Sequence, residues 1–226
     1  MSKDAYSLWL VGGTALLVAE VALPSRQYAL DSLLFAQLRS DKLNGSRFAD
    51  YARWYSGYRE ALEARGWVIP GSRSDYQPLQ GSVPLTQRLT DELQARHPGL
   101  SPYLQAAIAR LSQNEVQQYL RPFTLDEHGQ ATHVVYELGV MLPGPSLDLC
   151  GLALTTATPA TQILPGAVLA SSPTDKVDLR TTLATLGEQL TEVDRESLHA
   201  LLERKQYAER IRNLGVLNPE GSHANL

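Results

Sequence analysis

Asp126, Glu127, His128 and His133 form the densest run of residues able to hold a metal or exchange protons in this chain of 226 residues. Imidazole and carboxylate donors at short spacing are what a zinc site or an acid–base hydrolase requires. The same stretch, 125–130, has the composition of a polar turn leading into a strand that starts near Ala131. On that strand His133 shares a face with Val135. The turn is the plainer reading, and a metal- or carboxylate-dependent hydrolase centred on His128 and His133 is the sharper one. Glu137 and Asp148 flank a second turn, with Glu20 as a third acid, and paired carboxylates are the apparatus of glycoside hydrolysis. Nothing in the sequence shows that they converge, and solvated strand faces are the plainer reading. Cys150 could act as a nucleophile beside a histidine, but it lies in an apolar strand, where a small buried side chain is ordinary.

The sequence contains no Gly-x-x-x-x-Gly-Lys-Ser/Thr loop, no Gly-x-Gly-x-x-Gly, no Gly-x-Ser-x-Gly and no His-Glu-x-x-His. Those absences weigh against the large enzyme families, and no metal or cofactor is expected.

A different chemistry is suggested by residues 39–73, where seven Lys/Arg face four acids and Trp54, Tyr55 and Tyr58 are interleaved with them. Arginine beside aromatic rings suits single-stranded nucleic acid, with charge for the phosphates and stacking for the bases. It also arises when tyrosines line a core and arginines extend outward. Phe48, Tyr51, Tyr55, Tyr58 and Leu62 fall on one helical stripe. Trp54 lies off it, which makes Trp54, Arg47, Arg53 and Arg59 candidates for an interaction surface. Leu179, Leu183, Leu186, Leu190 and Val193 repeat at heptad-like spacing; packing within the chain is the plainer reading of so short a stripe, and Leu183, Leu186 and Leu190 meeting a helix of another subunit is the alternative.

These residues must be positioned by elements that the periodicity reveals. Tyr6–Val11 and Thr14–Leu23 flank Gly12-Gly13 and predict a hairpin. Gly12-Gly13, Glu20 and the uncharged balance of the first four residues argue against a membrane span or signal over 5–23. Helices are expected from Ser25 to Asn44, from Ser46 to Gly66, over 85–97, from Ser101 to Leu111, and from a Ser112–Glu115 capping box to Pro122. Pro70–Pro84 reads as a loop, either an internal boundary or a mobile binding segment. From Ala131 the period becomes two, predicting a hairpin of 131–142 and 147–156, with a third strand over 163–170. Two helices are expected after that, over 179–193 and from a Thr191–Asp194 box to Gly215, followed by a flexible tail at 219–226.

The predicted fold is therefore α+β: one sheet built from an N-terminal and a C-terminal hairpin, with helices packed against it, in a single domain over 1–218. The net charge of −4 gives no general reason to expect nucleic acid or a membrane surface. One cysteine excludes an internal disulfide and points to the cytoplasm. The function expected is non-enzymatic: protein binding or assembly, through a protein partner or self-association. A hydrolase and a nucleic-acid binder are the alternatives.

Overall fold

The computed structural model describes residues 5–78, 85–129, 131–163, 176–187, 192–203 and 207–218. The strands are β1 (Tyr6–Val11), β2 (Thr14–Ala19), β3 (Trp67–Pro78), β4 (Leu125–His128), β5 (Ala131–Leu142), β6 (Ser146–Thr156), β7 (Lys176–Leu186) and β8 (Ile211–Leu217). The helices are α1 (Leu23–Asn44), α2 (Tyr51–Glu63), α3 (Leu85–Arg96), α4 (Ser101–Leu111), α5 (Asn114–Thr124), α6 (Glu192–Glu203) and α7 (Tyr207–Arg210). The protein is α+β. Its strands form one mixed sheet in the order β3-β7-β6-β5-β2-β1-β8, with β4 also paired to β5.

Each expected hairpin is present. Gly12, at φ +53°, turns β1 back into β2, and alternation along 131–142 and 146–156 yields the β5–β6 ladder. The two hairpins join through a parallel pairing that sets Thr14 opposite Glu137 and Val18 opposite Met141. Helices cover both faces. α2 lies on the face that carries Glu137 and Thr182, beside α1. α3 binds Asp148 on the opposite face, where Tyr103 of α4 packs against Tyr6.

Several elements differ from the sequence expectation, each for a physical reason. The second strand ends at Ala19, and α1 starts at Leu23 with proline in its first turn, where a missing N–H costs nothing. α2 begins at Tyr51, because the Asp50 carboxylate accepts from the Arg53 amide and caps the helix there. Residues 67–78 form a strand rather than a loop; its backbone pairs with β7 around a bulge between Val68 and Gly71. As a sheet edge it tolerates the proline that a central strand would reject. Pro122 lies inside α5, two residues before its end, and Gln113 rather than Ser112 precedes the helix, with no side-chain cap.

The stretch over 176–186 is the strand β7, not a helix. Leu179, Leu183 and Leu186 repeat at a helical interval, but Thr181, Thr182 and Thr185 favour extended backbone, and the exposed edge of β6 supplies the hydrogen bonds. The last expected helix divides into α6, α7 and β8, and Gly215, at φ +89°, sits within β8 instead of capping a helix. The expected strand over 163–170, Leu190, Thr191 and the tail at 219–226 fall wholly or largely outside the described residues. Among the described residues no helix is long and apolar enough to cross a membrane.

Candidate functional site

Trp54 is buried, 3% exposed, contrary to its off-stripe position. α2 is enclosed on two sides, by the sheet and by α1, so a second flank of the helix is covered as well. The Trp54 indole N–H donates to Asp41 Oδ1 at 2.7 Å, and Ser40 Oγ donates to the Trp54 carbonyl at 2.6 Å. Its ring stacks on Tyr58 at 5.1 Å and carries the Arg47 guanidinium over its face at 4.3 Å. Arg47 is likewise buried, 8% exposed, whereas Arg53 is exposed and Arg59 half-buried. The arginines grouped by the sequence therefore differ in their surroundings, one buried, one exposed and one between.

Arg47 heads a chain of hydrogen bonds that runs into the sheet. Its Nη2 donates to Gln37 Oε1 at 3.3 Å, Gln37 Nε2 donates to Thr14 Oγ1 at 2.9 Å, and Thr14 Oγ1 donates to Glu137 Oε2 at 2.5 Å. Tyr58 Oη donates to the same Glu137 oxygen at 3.0 Å. Gln37 also donates to the Val11 carbonyl at 2.8 Å, which ties α1 to the first hairpin. Burial raises the Glu137 carboxyl above its usual range, while Thr14, Tyr58 and Arg47 pull it back. Burial also lowers the Arg47 guanidinium from its ordinary value, against the attraction of Asp41 and Glu137.

Beside this network an open cleft of about 280 Å³ lies between the start of α2 and strands β5, β6 and β7. Arg47, Phe48 and Tyr51 form one wall, and His133, Thr155 and Asp178 are among the groups opposite. His133 Nδ1 is 3.1 Å from Thr155 Oγ1. Both oxygens of Asp178 are taken by Arg180, Oδ1 from Nε at 2.9 Å and Oδ2 from Nη2 at 2.8 Å, so that pair is locally neutral. Tyr51 is 9% exposed, and among the described residues its hydroxyl has no hydrogen-bond partner. That hydroxyl lies over Gly151: a Cβ at 151 would stand 2.3 Å from it. A glycine inside a central strand makes room for the ring, and that glycine is the sequence signal that would have pointed here.

The remaining predicted residues are dispersed. His128 is exposed at the end of β4, with Asp126 paired to His133 across the ladder. Glu127 accepts from the Ala160 amide at 2.8 Å. Glu137 and Asp148 point to opposite faces of the sheet. Asp148, 2% exposed, accepts from Arg96 Nε at 2.8 Å and Nη2 at 2.9 Å, and lies 2.7 Å from His97 Nε2. Arg96 and His97 were not singled out by sequence; their position at the end of an amphipathic helix gave no sign of a partner on a distant strand. Cys150 is fully buried and its thiol is pushed up to about 12 by burial, which leaves it a poor nucleophile. Leu183 is exposed and Leu186 half-buried on β7. Among the described residues no three His, Cys, Asp or Glu side chains are grouped so as to hold a metal.

The sequence matches no protein-family model, and a search of curated proteins finds no match. Among solved structures the chain is similar to a delta-endotoxin, with 12% identity and a TM-score of 0.47 over 80% of this chain and 85% of that one. It is also similar to the activated Cyt2Ba monomer from Bacillus thuringiensis subsp. israelensis, with 7% identity and a TM-score of 0.44 over 78% and 98%. A third likeness is to the Evf virulence factor, with 11% identity and a TM-score of 0.42 over 86% and 84%.

Proposed function

We propose that the protein is a non-enzymatic binding protein, acting in the cytoplasm, whose recognition site is the cleft between the start of α2 and strands β5 to β7. The observation that carries this reading is the pairing of a preformed concavity with a buried polar floor. Arg47 and Tyr51 are both about nine-tenths buried on its wall, and the hydrogen-bond chain from Arg47 to Glu137 holds that wall against the sheet. A preformed pocket with a few fixed polar groups is the usual form of a small-ligand site. Backbone amide NMR with a mixed fragment library tests it. Saturable shifts are expected at Phe48, Tyr51, Ala153 and Thr155, and a library that shifts only residues elsewhere, or none, defeats the proposal.

Self-association is a second reading, favoured by Val68 on β3 and Leu183 on β7. They are 58% and 47% exposed, on the same face of neighbouring strands at one end of the sheet. Sedimentation of wild type against Leu183→Asp tests it. A concentration-dependent dimer weakened by the aspartate is expected, and a monomer at every concentration removes it.

A further inference from the structure

Resting on the cleft as the binding site, we propose that its ligand is a small organic molecule carrying one oxyanion group, seated at Arg47 and Tyr51, with an apolar body against Phe48, Val135 and Ala153. The polar groups left over on the cleft wall are mainly donors. A guanidinium has donors on three nitrogens, and among the described residues that of Arg47 makes one hydrogen bond, to Gln37, with Asp41 distant at 3.8 Å. Among the described residues neither the Tyr51 hydroxyl nor His133 Nε2 has a hydrogen-bond partner, the His133 contact to Thr155 being through Nδ1. Most side-chain acceptors nearby are already engaged: both Asp178 oxygens by Arg180, and one of the two Glu137 oxygens, Oε2, by Thr14 and Tyr58. A buried guanidinium with spare N–H groups is matched by the two oxygens of a carboxylate or phosphate, which it binds in a planar fork.

The opposing charge of Glu137 is the main argument against an anion there. Burial raises that carboxyl, which favours its neutral form and reduces the opposition. The rest of the lining is Phe48, Ala49, Val134, Val135, Ala153 and Leu154, so the ligand needs an apolar body as well as its charged group. A volume of about 280 Å³ suits a single ring rather than a polymer.

Four probes of one size test this on the intact chain by amide NMR: benzoate, phenyl phosphate, benzyl alcohol and benzylammonium. Benzoate or phenyl phosphate is expected to shift the cleft amides saturably, with benzyl alcohol and benzylammonium at least about tenfold weaker, as befits a charge-assisted hydrogen bond. The better of the two anions shows whether the group seated is carboxylate or phosphate. Tyr51→Phe, which removes only a hydroxyl that has no hydrogen-bond partner among the described residues, is expected to weaken the anion about fivefold without loss of folding, and Arg47→Lys to weaken it further by replacing the fork with a point charge. Equal or tighter cleft binding of the alcohol or the ammonium overturns the oxyanion assignment while leaving the cleft as a binding site. Silence of the cleft amides to all four overturns the assignment and the site together. Anion binding unaffected by both variants overturns the placement at Arg47 and Tyr51.

Discussion

Glu137 and Asp148 are two buried carboxylates on neighbouring strands, and the protein treats them in opposite ways. Asp148, on the α3 face, is neutralised directly: a two-pronged guanidinium from Arg96 and an imidazole from His97 reach it from the end of one helix. Glu137, on the α2 face, receives only hydroxyl hydrogen bonds among the described residues, and the Arg47 guanidinium is linked to it through Gln37 and Thr14. The first arrangement locks a helix to the sheet. The second leaves a carboxyl whose ionisation is opposed by its surroundings and a cation with donors to spare. The proposed ligand site lies on the side where the charges are incompletely matched, since a fully paired network has nothing left to offer.

The contrast can be broken most directly at Arg96. Arg96→Met removes the fork and leaves the buried Asp148 with His97 alone. Loss of one partner of a fully buried pair costs roughly 3–5 kcal/mol. Since the Arg96 side chain is itself 33% exposed, about 2–3 kcal/mol is expected in urea unfolding; a loss under about 0.5 kcal/mol would mean that the lock is not one. On the other face, Gly151→Ala puts a methyl group 2.3 Å from the Tyr51 hydroxyl. Overpacking of this kind is expected to cost about 1–3 kcal/mol, and displacement of the ring shows in the Tyr51 side-chain NMR signals. Tyr55→Phe strips the 3.0 Å hydrogen bond to Thr182 from the same face. It leaves a buried hydroxyl without its partner, for about 1 kcal/mol in thermal or urea melts.

The smallest shift in stability, and the sharpest comparison, comes from Glu137→Gln. Because burial raises this carboxyl, the folded chain binds its proton more tightly than the unfolded chain does. The stability it contributes is complete below the unfolded pKa and is lost as pH rises through the raised folded value. The wild-type unfolding free energy is therefore expected to decline across that window, and the glutamine variant to flatten the decline while staying within about 1 kcal/mol of wild type at neutral pH. An unchanged pH profile would show that burial does not raise the Glu137 carboxyl in the folded chain.

The parts of this architecture that were legible in the sequence are those whose pattern is local. Alternation over 131–142 identified β5 and its hairpin partner, Gly12-Gly13 identified the first turn, and the 3-4 spacing of Tyr51, Tyr55, Tyr58 and Leu62 identified the buried stripe of α2. The parts that were not depend on partners far along the chain. β3 and β7 are strands because each meets an open sheet edge, and the leucines of β7 fit a helical period as readily as an extended one. Trp54 looked free because helix periodicity reports one neighbour, and α2 has two. The cleft draws on residues from 47–51, 133–135, 153–155 and 178, so no window of sequence contains it. Arg47 and His133 were both singled out, for different reasons and never together.

The parallel seam between β2 and β5 has a consequence for how the chain is made. Thr14 meets Glu137 across a separation of 123 residues, and the strand beyond β1 is β8, the last described element. As the chain leaves the ribosome, the first hairpin emerges with both its edges bare and waits for one neighbour, β5, more than 100 residues later and another, β8, about 200 residues later. Contacts of such long range form slowly, and an unpaired apolar edge is where chains associate wrongly in the interval. The first hairpin is thus made before either of the strands that seal it.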